Sequence, residues 1–257
     1  MQIDAPLRNR QAEARFSIRL ATKSEDVEAA QRLRWSVFAE EQGASLTSPV
    51  PGLDIDAFDA HCEHLLVRDL ADDLVIGTYR LLTAAAAQRI GGYYSEQEFD
   101  ISDLAAERGG MLEIGRSCVH PAYRTGATIA LLWSGLAGFL VQSGHTALIG
   151  CASIPLRGQE EGGARLAREL FRLHPSDASR RVSARTPLPF AGADGHAQPA
   201  IPPLIKGYIR SGAVVCGEPC WDPDFNTADI FVYLGLSDIE QRYARRFLQP
   251  AFLDRLT

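Results

Sequence analysis

Residues 111–141 read MLEIGRSCVHPAYRTGATIALLWSGLAGFLV, and this stretch decides the fold. Its first part, Met111 to Val119, has the composition of a strand, which must end at Pro121 because proline lacks the amide that a central strand donates. From Gly126 to Val141, apolar residues recur every three or four positions on nearly all sides, which predicts a buried helix. A further strand, Thr146 to Ser153, follows. We therefore expect a strand, helix, strand unit with a right-handed crossover.

The flanking sequence also alternates between strand and helix patterns. Ser24 is placed to cap a helix, and Ala71 lies at the turn of a predicted hairpin. Residues 157–200 predict a helix through Arg172 and then a variable excursion rich in Gly and Pro. The pattern predicts one α/β (α+β) domain, residues 1–257, with a mixed sheet. Its other predicted elements are strands at Phe16–Ala21, His64–Arg68, Leu74–Leu82, Ala213–Cys220 and Asp229–Leu234, and helices at Ile205–Arg210 and Ile239–Phe247.

Composition limits the classes of function. The chain has 257 residues, 46% of them hydrophobic, and a formal net charge of -6, which provides no general attraction for nucleic acid. Its five cysteines are scattered and odd in number, as expected of reduced thiols in the cytosol, and no zinc-ligand spacing is present. The N-terminus lacks a signal-peptide pattern, and the apolar run Ala127–Val141 is shorter than the roughly 20 residues that cross a bilayer.

The loop before the long helix is a candidate anion site. Backbone N–H groups at a helix N-terminus carry partial positive charge, so Gly126, Ala127 and Thr128 could hold a phosphate, with Arg124 adding a full charge. The alternative is an ordinary turn capped by Gly126 and Thr125.

Isolated charges inside strand patterns form the second candidate site. They are Arg80, Glu113 and Arg116. Strand alternation places Glu113 on one face with Gly115 and Ser117, and Arg116 on the other face, unless a bulge resets the count. One interpretation is a satisfied ion pair; the other is a catalytic carboxylate oriented by arginines.

An acidic cluster, Asp54, Asp56 and Asp59, is the third candidate. It forms either a solvated loop face or, if it faces a cleft, a site for a cationic substrate.

Four separated motifs resemble one family. They are the run Glu113–Gly126, Gly150-Cys-Ala-Ser153, Ile201-Pro-Pro-Leu-Ile-Lys-Gly-Tyr208 and Asp224-Phe-Asn-Thr-Ala-Asp229. Together they are similar to the L-ornithine N-alpha-acyltransferases, which belong to the GNAT superfamily and are related to acyl-homoserine lactone synthases. The resemblance covers about Arg19 to Tyr233. It implies a GNAT-like, mainly antiparallel sheet flanked by helices, with a C-terminal extension.

The resemblance also implies the substrates. The acyl donor would be the phosphopantetheine thioester of an acyl carrier protein bearing a 3-hydroxyacyl chain, and the acceptor the α-amino group of L-ornithine. No cofactor would be tightly bound. The GNAT phosphate loop is shortened here to Arg124-Thr-Gly-Ala127, which suits a donor with a single phosphodiester. The protein would work in the cytoplasm, with at most peripheral contact with the inner membrane.

By the same resemblance, the acceptor side of the site is formed by Arg34, Trp35, Asp56, Asp59, Arg80, Glu113 and Arg116, with Ser153 from the second motif. Glu113 is the predicted general base. Arg80 and Arg116 would orient it or bind the substrate carboxylate, and Asp56 and Asp59 would hold the terminal ammonium. Backbone donors around Ser117 to Val119 would stabilise the oxyanion.

Four alternatives remain open on the sequence alone. The acceptor could be another amino acid such as glycine, or S-adenosylmethionine in an acyl-homoserine lactone synthase. The chain could be a non-catalytic module that binds acyl carrier protein. Cys118 could be acylated first, although its sequence neighbours supply no base or positive charge to form the thiolate.

Overall fold

An eight-stranded sheet forms the centre of the protein in a computed structural model that describes residues 15–192, 197–241 and 243. Its strands are β1 (Phe16–Leu20), β2 (Glu63–Asp69), β3 (Leu74–Thr83), β5 (Met111–Val119), β6 (Ala147–Pro155), β8 (Val214–Val215), β9 (Cys220–Asp222) and β10 (Thr227–Gly235). The order is β1-β2-β3-β5-β6-β10-β8, and β9 also pairs with β10. A separate two-stranded sheet joins β4 (Phe99–Asp100) to β7 (Ser183–Ala184).

Five α-helices pack around the large sheet in the described part of the chain. They are α1 (Ser24–Trp35), α2 (Ala84–Ile90), α3 (Gly126–Gln142), α4 (Glu160–Leu173) and α5 (Pro203–Ser211). None of the described helices is long and apolar enough to span a membrane.

The predicted unit around α3 is confirmed. The strand β5 has the predicted limits, α3 begins at Gly126 as predicted, and β6 lies beside β5 and parallel to it. All other adjacent strands pair antiparallel, so the sheet is mixed and mainly antiparallel. The predicted hairpin is present as β2 and β3.

Three predictions in the flanks need correction or lie outside the structure. Helix α1 is capped at Lys23 without a side-chain bond, and Ser24 is its first residue. The predicted strand Ala213–Cys220 is broken into β8 and β9, because Pro219 cannot donate to a ladder and Gly217 lies against the carbonyl of Val182. The predicted helix Ile239–Phe247 falls largely outside the described residues.

The two faces of the sheet are covered by different helices. On one face, α3, α4 and α5 bury the largest core, where Leu112 and Ile154 of the sheet meet Leu136 of α3. On the other face, α1 packs over the hairpin and α2 packs near Leu82 and Phe231. Both faces are therefore dry, and a charged side chain in these strands must find partners or a cavity.

A bulge in β5 changes which side chains share a face. Gly115 pairs with Arg80 and Cys118 with Thr78, so two residues of β5 oppose the single residue Tyr79. Arg116, at the bulge, has φ +47, a left-handed conformation that non-glycine residues seldom adopt. As a result Arg116 lies on the same face as Glu113, where both contact Tyr94, which is the exception to alternation that a bulge produces.

The parallel strands β5 and β6 separate soon after they meet. Their register covers only Met111–Glu113 against Ala147–Ile149. At the point of separation Gly150 lies so close to the carbonyl oxygen of Ile114 that a Cβ there would collide with it. A small residue at position 150 therefore allows the strands to approach and then diverge.

Candidate active site

A cavity of about 250 Å³ occupies the gap between the diverging strands. Its walls include side chains that belong to the cores on both sides of the sheet, so the cavity passes through the sheet. Tyr79 and Tyr208, whose hydroxyls are 2.9 Å apart, line one side. The other lining side chains central to the site are Glu98, Glu113, Arg116, Cys151, Ser153, Asp222 and Asp229.

Glu113 is held at this cavity by a short turn of backbone. Its Oε2 accepts the amide of Tyr94 at 2.6 Å, and its Oε1 accepts the amide of Ser95 at 2.8 Å. The turn is fixed in place because the hydroxyl of Tyr93 donates to the carbonyl of Met111 at 3.0 Å, at the start of β5. Backbone amides therefore orient the carboxylate, a role that the sequence prediction assigned to arginines.

Burial sets the basicity of Glu113. The side chain is 3% exposed, and burial raises its pKa, while the hydrogen bonds from Ser95 and Tyr94 and the charge of Arg80 act in the opposite direction. A raised pKa makes a carboxylate a better proton acceptor near neutral pH.

The three arginines and two aspartates predicted for the acceptor side, together with Asp54 of the acidic cluster, form one network beside the cavity. Arg34 is 1% exposed and donates to Asp54 at 2.8 Å and to both oxygens of Asp59 at 2.9 and 2.7 Å. Arg80 donates to Asp56 at 2.6 Å and to Asp59 at 3.2 Å.

Arg116 joins this network at its edge. Its Nε is 3.3 Å from Asp54 and its Nη2 is 3.4 Å from Asp56. The guanidinium also lies 5.0 Å from the ring centre of Tyr94 and 4.7 Å from that of Phe225. Arg80 and Arg116 border the cavity and Arg34 does not. The side chain of Arg116 is 13% exposed against 4% for Arg80, so Arg116 is the network's cation most open to a ligand.

This network occupies Asp59 more completely than Asp56. Neither lines the cavity that contains Glu113, but Asp56 is 22% exposed and lines an adjoining cavity of about 200 Å³ together with Arg116 and Asp222, so its role at the substrate stays a prediction. The oxygens of Asp59 already contact Arg34 and Arg80, which hold its pKa well below the ordinary value despite burial. Their charges are balanced within the network. Of the other residues predicted on the acceptor side, Arg34 and Trp35 also lie outside the cavity lining, whereas Arg80 and Ser153 belong to it.

Cys118 does not suit a nucleophile. It is 6% exposed, packs against α1 in the core, and does not line the cavity. Burial raises the pKa of its thiol to about 12, so the thiolate is disfavoured at neutral pH. The neighbouring Ser117 does line the cavity.

The predicted anion loop lies at the end of β5, outside the cavity lining. Thr125 caps α3 by accepting the amide of Thr128 at 3.5 Å, as the alternative interpretation expected. Arg124 donates to both oxygens of Glu41 at 2.6 Å and to the carbonyl of Val119 at 3.2 Å. Gly126 and Ala127 remain exposed at the helix N-terminus.

Sequence reasoning missed a second group of acids in the cavity. Glu98, Asp222 and Asp229 have carboxylate oxygens within 4.8 Å of one another. Asp229 is 3% exposed near the start of the apolar strand β10, and it is an isolated charge in a strand, the same signal that singled out Glu113. Asp229 lies directly opposite Ser153 in the β10–β6 ladder.

Comparisons with known proteins agree with this fold. The profile of the acetyltransferase (GNAT) domain matches residues 33–134. A CoA-dependent acyl-homoserine lactone synthase solved with S-adenosylmethionine and isopentyl-CoA superposes with a TM-score of 0.53 at 18% identity, covering 91% of this chain and 90% of that one. The fold, with a buried glutamate at the gap between diverging strands, is that of a GNAT N-acyltransferase.

Curated relatives show which family of N-acyltransferases the chain belongs to. The L-ornithine N(alpha)-acyltransferase of Rhizobium meliloti (strain 1021) is 39% identical, covering 92% of this chain and 88% of that protein. The enzyme of the same name from Agrobacterium fabrum (strain C58 / ATCC 33970) is 39% identical, covering 88% and 82%. This chain belongs to the L-ornithine N(alpha)-acyltransferase family.

Proposed function

We propose that this protein transfers a (3-hydroxy)fatty acyl group from an acyl carrier protein thioester to the α-amino group of L-ornithine. The observation that carries the proposal is the match, at 32% to 39% identity over about nine tenths of the chain, to four proteins named for that acceptor. The enzyme would work in the cytoplasm, with at most peripheral contact with a membrane.

Glu113 supplies the general base. The attacking amine is largely protonated near neutral pH, by analogy with peptide α-amino groups of pKa about 8, so a proton must leave before the attack. Glu113 takes that proton, the new C–N bond forms as the C–S bond of the thioester breaks, and the carrier's thiol leaves with a proton. The buried position and raised pKa of Glu113 support this role.

Arg116 binds the carboxylate of the amino acid. It is the partly exposed cation of the network, and the rings of Tyr94 and Phe225 hold its guanidinium plane at the cavity wall. A guanidinium suits a carboxylate because its parallel N–H groups match the two oxygens. Arg80, paired with Asp56 and Asp59, positions the wall around Glu113 and does not need to contact the substrate.

The carrier-protein arm enters the gap between β5 and β6. Its phosphate would meet the exposed amides of Gly126 and Ala127 at the start of α3, and Arg124 would add charge by exchanging its partner Glu41 for the phosphate. The backbone at the bulge, from Ser117 to Val119, would supply donors to the oxyanion.

Mass spectrometry tests the proposal directly. The protein is incubated with acyl carrier protein charged with 3-hydroxyacyl groups and with a panel of amino acids that includes ornithine, lysine, glycine and S-adenosylmethionine as acceptors. The expected product is an N-α-acyl ornithine, formed together with free carrier thiol. Formation of an acyl-homoserine lactone, or acylation of glycine in preference to ornithine, would contradict the proposed acceptor.

A further inference from the structure

The acids Glu98, Asp222 and Asp229 come together from three separate segments. Glu98 follows the turn that holds Glu113, Asp222 ends β9, and Asp229 lies near the start of β10. Their carboxylate oxygens lie within 4.8 Å of one another, and all three side chains line the cavity that contains Glu113.

This cluster has no ion-pair partner in the part of the chain that the structure describes. Neither Glu98, Asp222 nor Asp229 forms an ion pair there, whereas Asp54, Asp56 and Asp59 are paired with three arginines. Oε2 of Glu98 is buried and has no hydrogen-bond partner in this part of the structure. An unpaired carboxylate oxygen in a cavity wall is costly unless a ligand occupies it.

Burial and mutual proximity also affect the pKa values of these acids. Burial and the neighbouring Asp229 raise the pKa of Glu98, and burial raises the pKa of Asp229 although Thr227 donates to it at 2.7 Å. Two carboxyl groups so close together cannot both ionise easily without a positive charge between them. Cys151 lines the same cavity as the cluster and Glu113, and burial together with the charges of Glu98, Asp229 and Glu113 raises the pKa of its thiol.

We infer that Glu98, Asp222 and Asp229 bind the terminal ammonium of the acceptor and so select a diamino acid over neutral amino acids of similar length. The inference rests on the proposed function and names the side chains that recognise its acceptor. An ammonium has three N–H donors, which matches three carboxylates that each offer one oxygen. The α-amino group of the same molecule then lies toward Glu113, and its carboxylate toward Arg116.

A divalent metal is the other cation that three carboxylates could hold. Calcium requires six to eight oxygen ligands and magnesium an octahedral set, in general about twice what three single oxygens provide. The neighbouring groups on the wall include the thiol of Cys151 and the hydroxyls of Thr227 and Ser153, and Thr227 already donates to Asp229. The ligand set therefore favours an ammonium.

The test compares ornithine with norvaline, which has the same carbon skeleton but no terminal ammonium. We expect wild-type kcat/KM to favour ornithine by at least about 100-fold, because a polar site left unpaired rejects the analogue. Glu98→Gln and Asp222→Asn should each lower kcat/KM for ornithine about 10- to 100-fold and leave the low value for norvaline within about threefold. Circular dichroism verifies that both variants are folded.

A matched control is Glu107→Gln. Glu107 is a partly buried acid paired with Arg180 at 2.9 Å and does not line the cavity, so this variant should keep the ornithine-to-norvaline ratio. A ratio that stays unchanged in folded Glu98→Gln and Asp222→Asn would overturn the inference while leaving ornithine acylation intact. Loss of activity on dialysis against a chelator, restored by Mg²⁺ or Ca²⁺, would also overturn it, since the cation would then be a metal.

The same assay separates the inference from the proposed function. The wild type could acylate another diamino acid and not ornithine, with loss of that activity in the two variants. In that case the proposed acceptor is wrong, and binding of the terminal ammonium by the three acids is supported. If the wild type prefers norvaline to every diamino acid, the inference is wrong.

Discussion

Arg34 and Asp59 form a bidentate ion pair: Nη1 of the arginine donates to Oδ1 at 2.9 Å, and Nη2 donates to Oδ2 at 2.7 Å. Both side chains are almost completely buried, at 1% and 5% exposed. Because neither charge touches the cavity, this pair holds the loop of Asp54, Asp56 and Asp59 against α1 and leaves the chemistry to other residues. The family resemblance had placed Arg34 and Asp59 at the substrate.

Removing this arginine should therefore reduce stability strongly. Arg34→Ala leaves the carboxylates of Asp54 and Asp59 buried without their main partner, at a cost of about 3–5 kcal/mol in the free energy of unfolding. The control Arg32→Ala, on the same helix but with an exposed partner, should cost less than about 0.5 kcal/mol. Urea unfolding measures both. A loss in Arg34→Ala no larger than that of the control would contradict a structural role.

Replacing the proposed base should remove turnover. Glu113→Gln should lower kcat about 100- to 10,000-fold, because the amide cannot accept the proton of the amine. Its effect on KM should be small, since Glu113 contacts the backbone of Tyr94 and Ser95 and no part of the proposed carboxylate or ammonium subsites. Full activity in the folded variant would end the assignment.

The pH dependence of the wild type should carry the signature of this base. A carboxylate base must be ionised, so kcat falls as pH is lowered through its pKa. Since burial raises the pKa of Glu113, that fall should begin above the ordinary glutamate value of about 4.3. Stopped assays of kcat against pH measure it. A profile that is flat down to an ordinary carboxylate pKa would show that Glu113 does not take the proton.

Cys118→Ala should retain activity. The thiol is buried away from the cavity with a pKa of about 12, so kcat/KM should stay within about twofold of the wild type, since no transition-state contact is lost. Mass spectrometry of the acid-quenched wild-type enzyme should find no acyl group on the chain. An acylated Cys118, or a large loss of kcat in the alanine variant, would restore the covalent route.

Gly150→Ala tests the divergence of the strands. A methyl group there collides with the carbonyl oxygen of Ile114, and backbone cannot move aside as a flexible side chain can, so a loss of about 1–3 kcal/mol in stability is expected. At Gly109 a Cβ would meet nothing, and Gly109→Ala provides the control. Equal melting temperatures for the two variants would show that the strands do not meet as described.

The acid cluster should make stability depend on pH in a particular direction. Folded-state pKa values of Glu98 and Asp229 are raised, so these groups favour the folded protein when protonated, and their contribution is lost as pH rises from the unfolded value through the folded one. Glu98→Gln removes part of this pH-dependent loss of stability. The melting temperature of the variant should therefore exceed that of the wild type, and by a larger difference at pH 8 than at pH 5. A constant difference would contradict the raised pKa values.

Much of the fold was accessible from the sequence because its signals are local. The apolar spacing of Gly126–Val141 gave α3 to within one residue, and the hairpin of β2 and β3 was read from composition. The prediction of a single strand over Ala213–Cys220 was wrong, although its apolar residues are typical of a strand. Gly217 interrupts the strand where it contacts the distant Val182, and Pro219 interrupts it because proline has no amide N–H to donate.

The site was less accessible because it depends on geometry that spacing does not encode. Glu113 was recognised as an isolated charge in a strand. The bulge that turns Arg116 to the same face requires a left-handed conformation at an arginine, which composition does not indicate. Glu98 lies in a loop without a pattern, and it joins Asp222 and Asp229 only when three segments meet.

The short stretch of pairing between β5 and β6 determines how the two parts of the sheet are joined. Only three residue pairs, ending at Glu113 and Ile149, join the half of the sheet that carries the hairpin to the half that carries β10. The proposed base therefore lies at the last paired position of this junction, with Arg116 on the strand at one side and Asp229 on a strand at the other. A substrate held by both Arg116 and Asp229 would span the junction and place its amine beside Glu113.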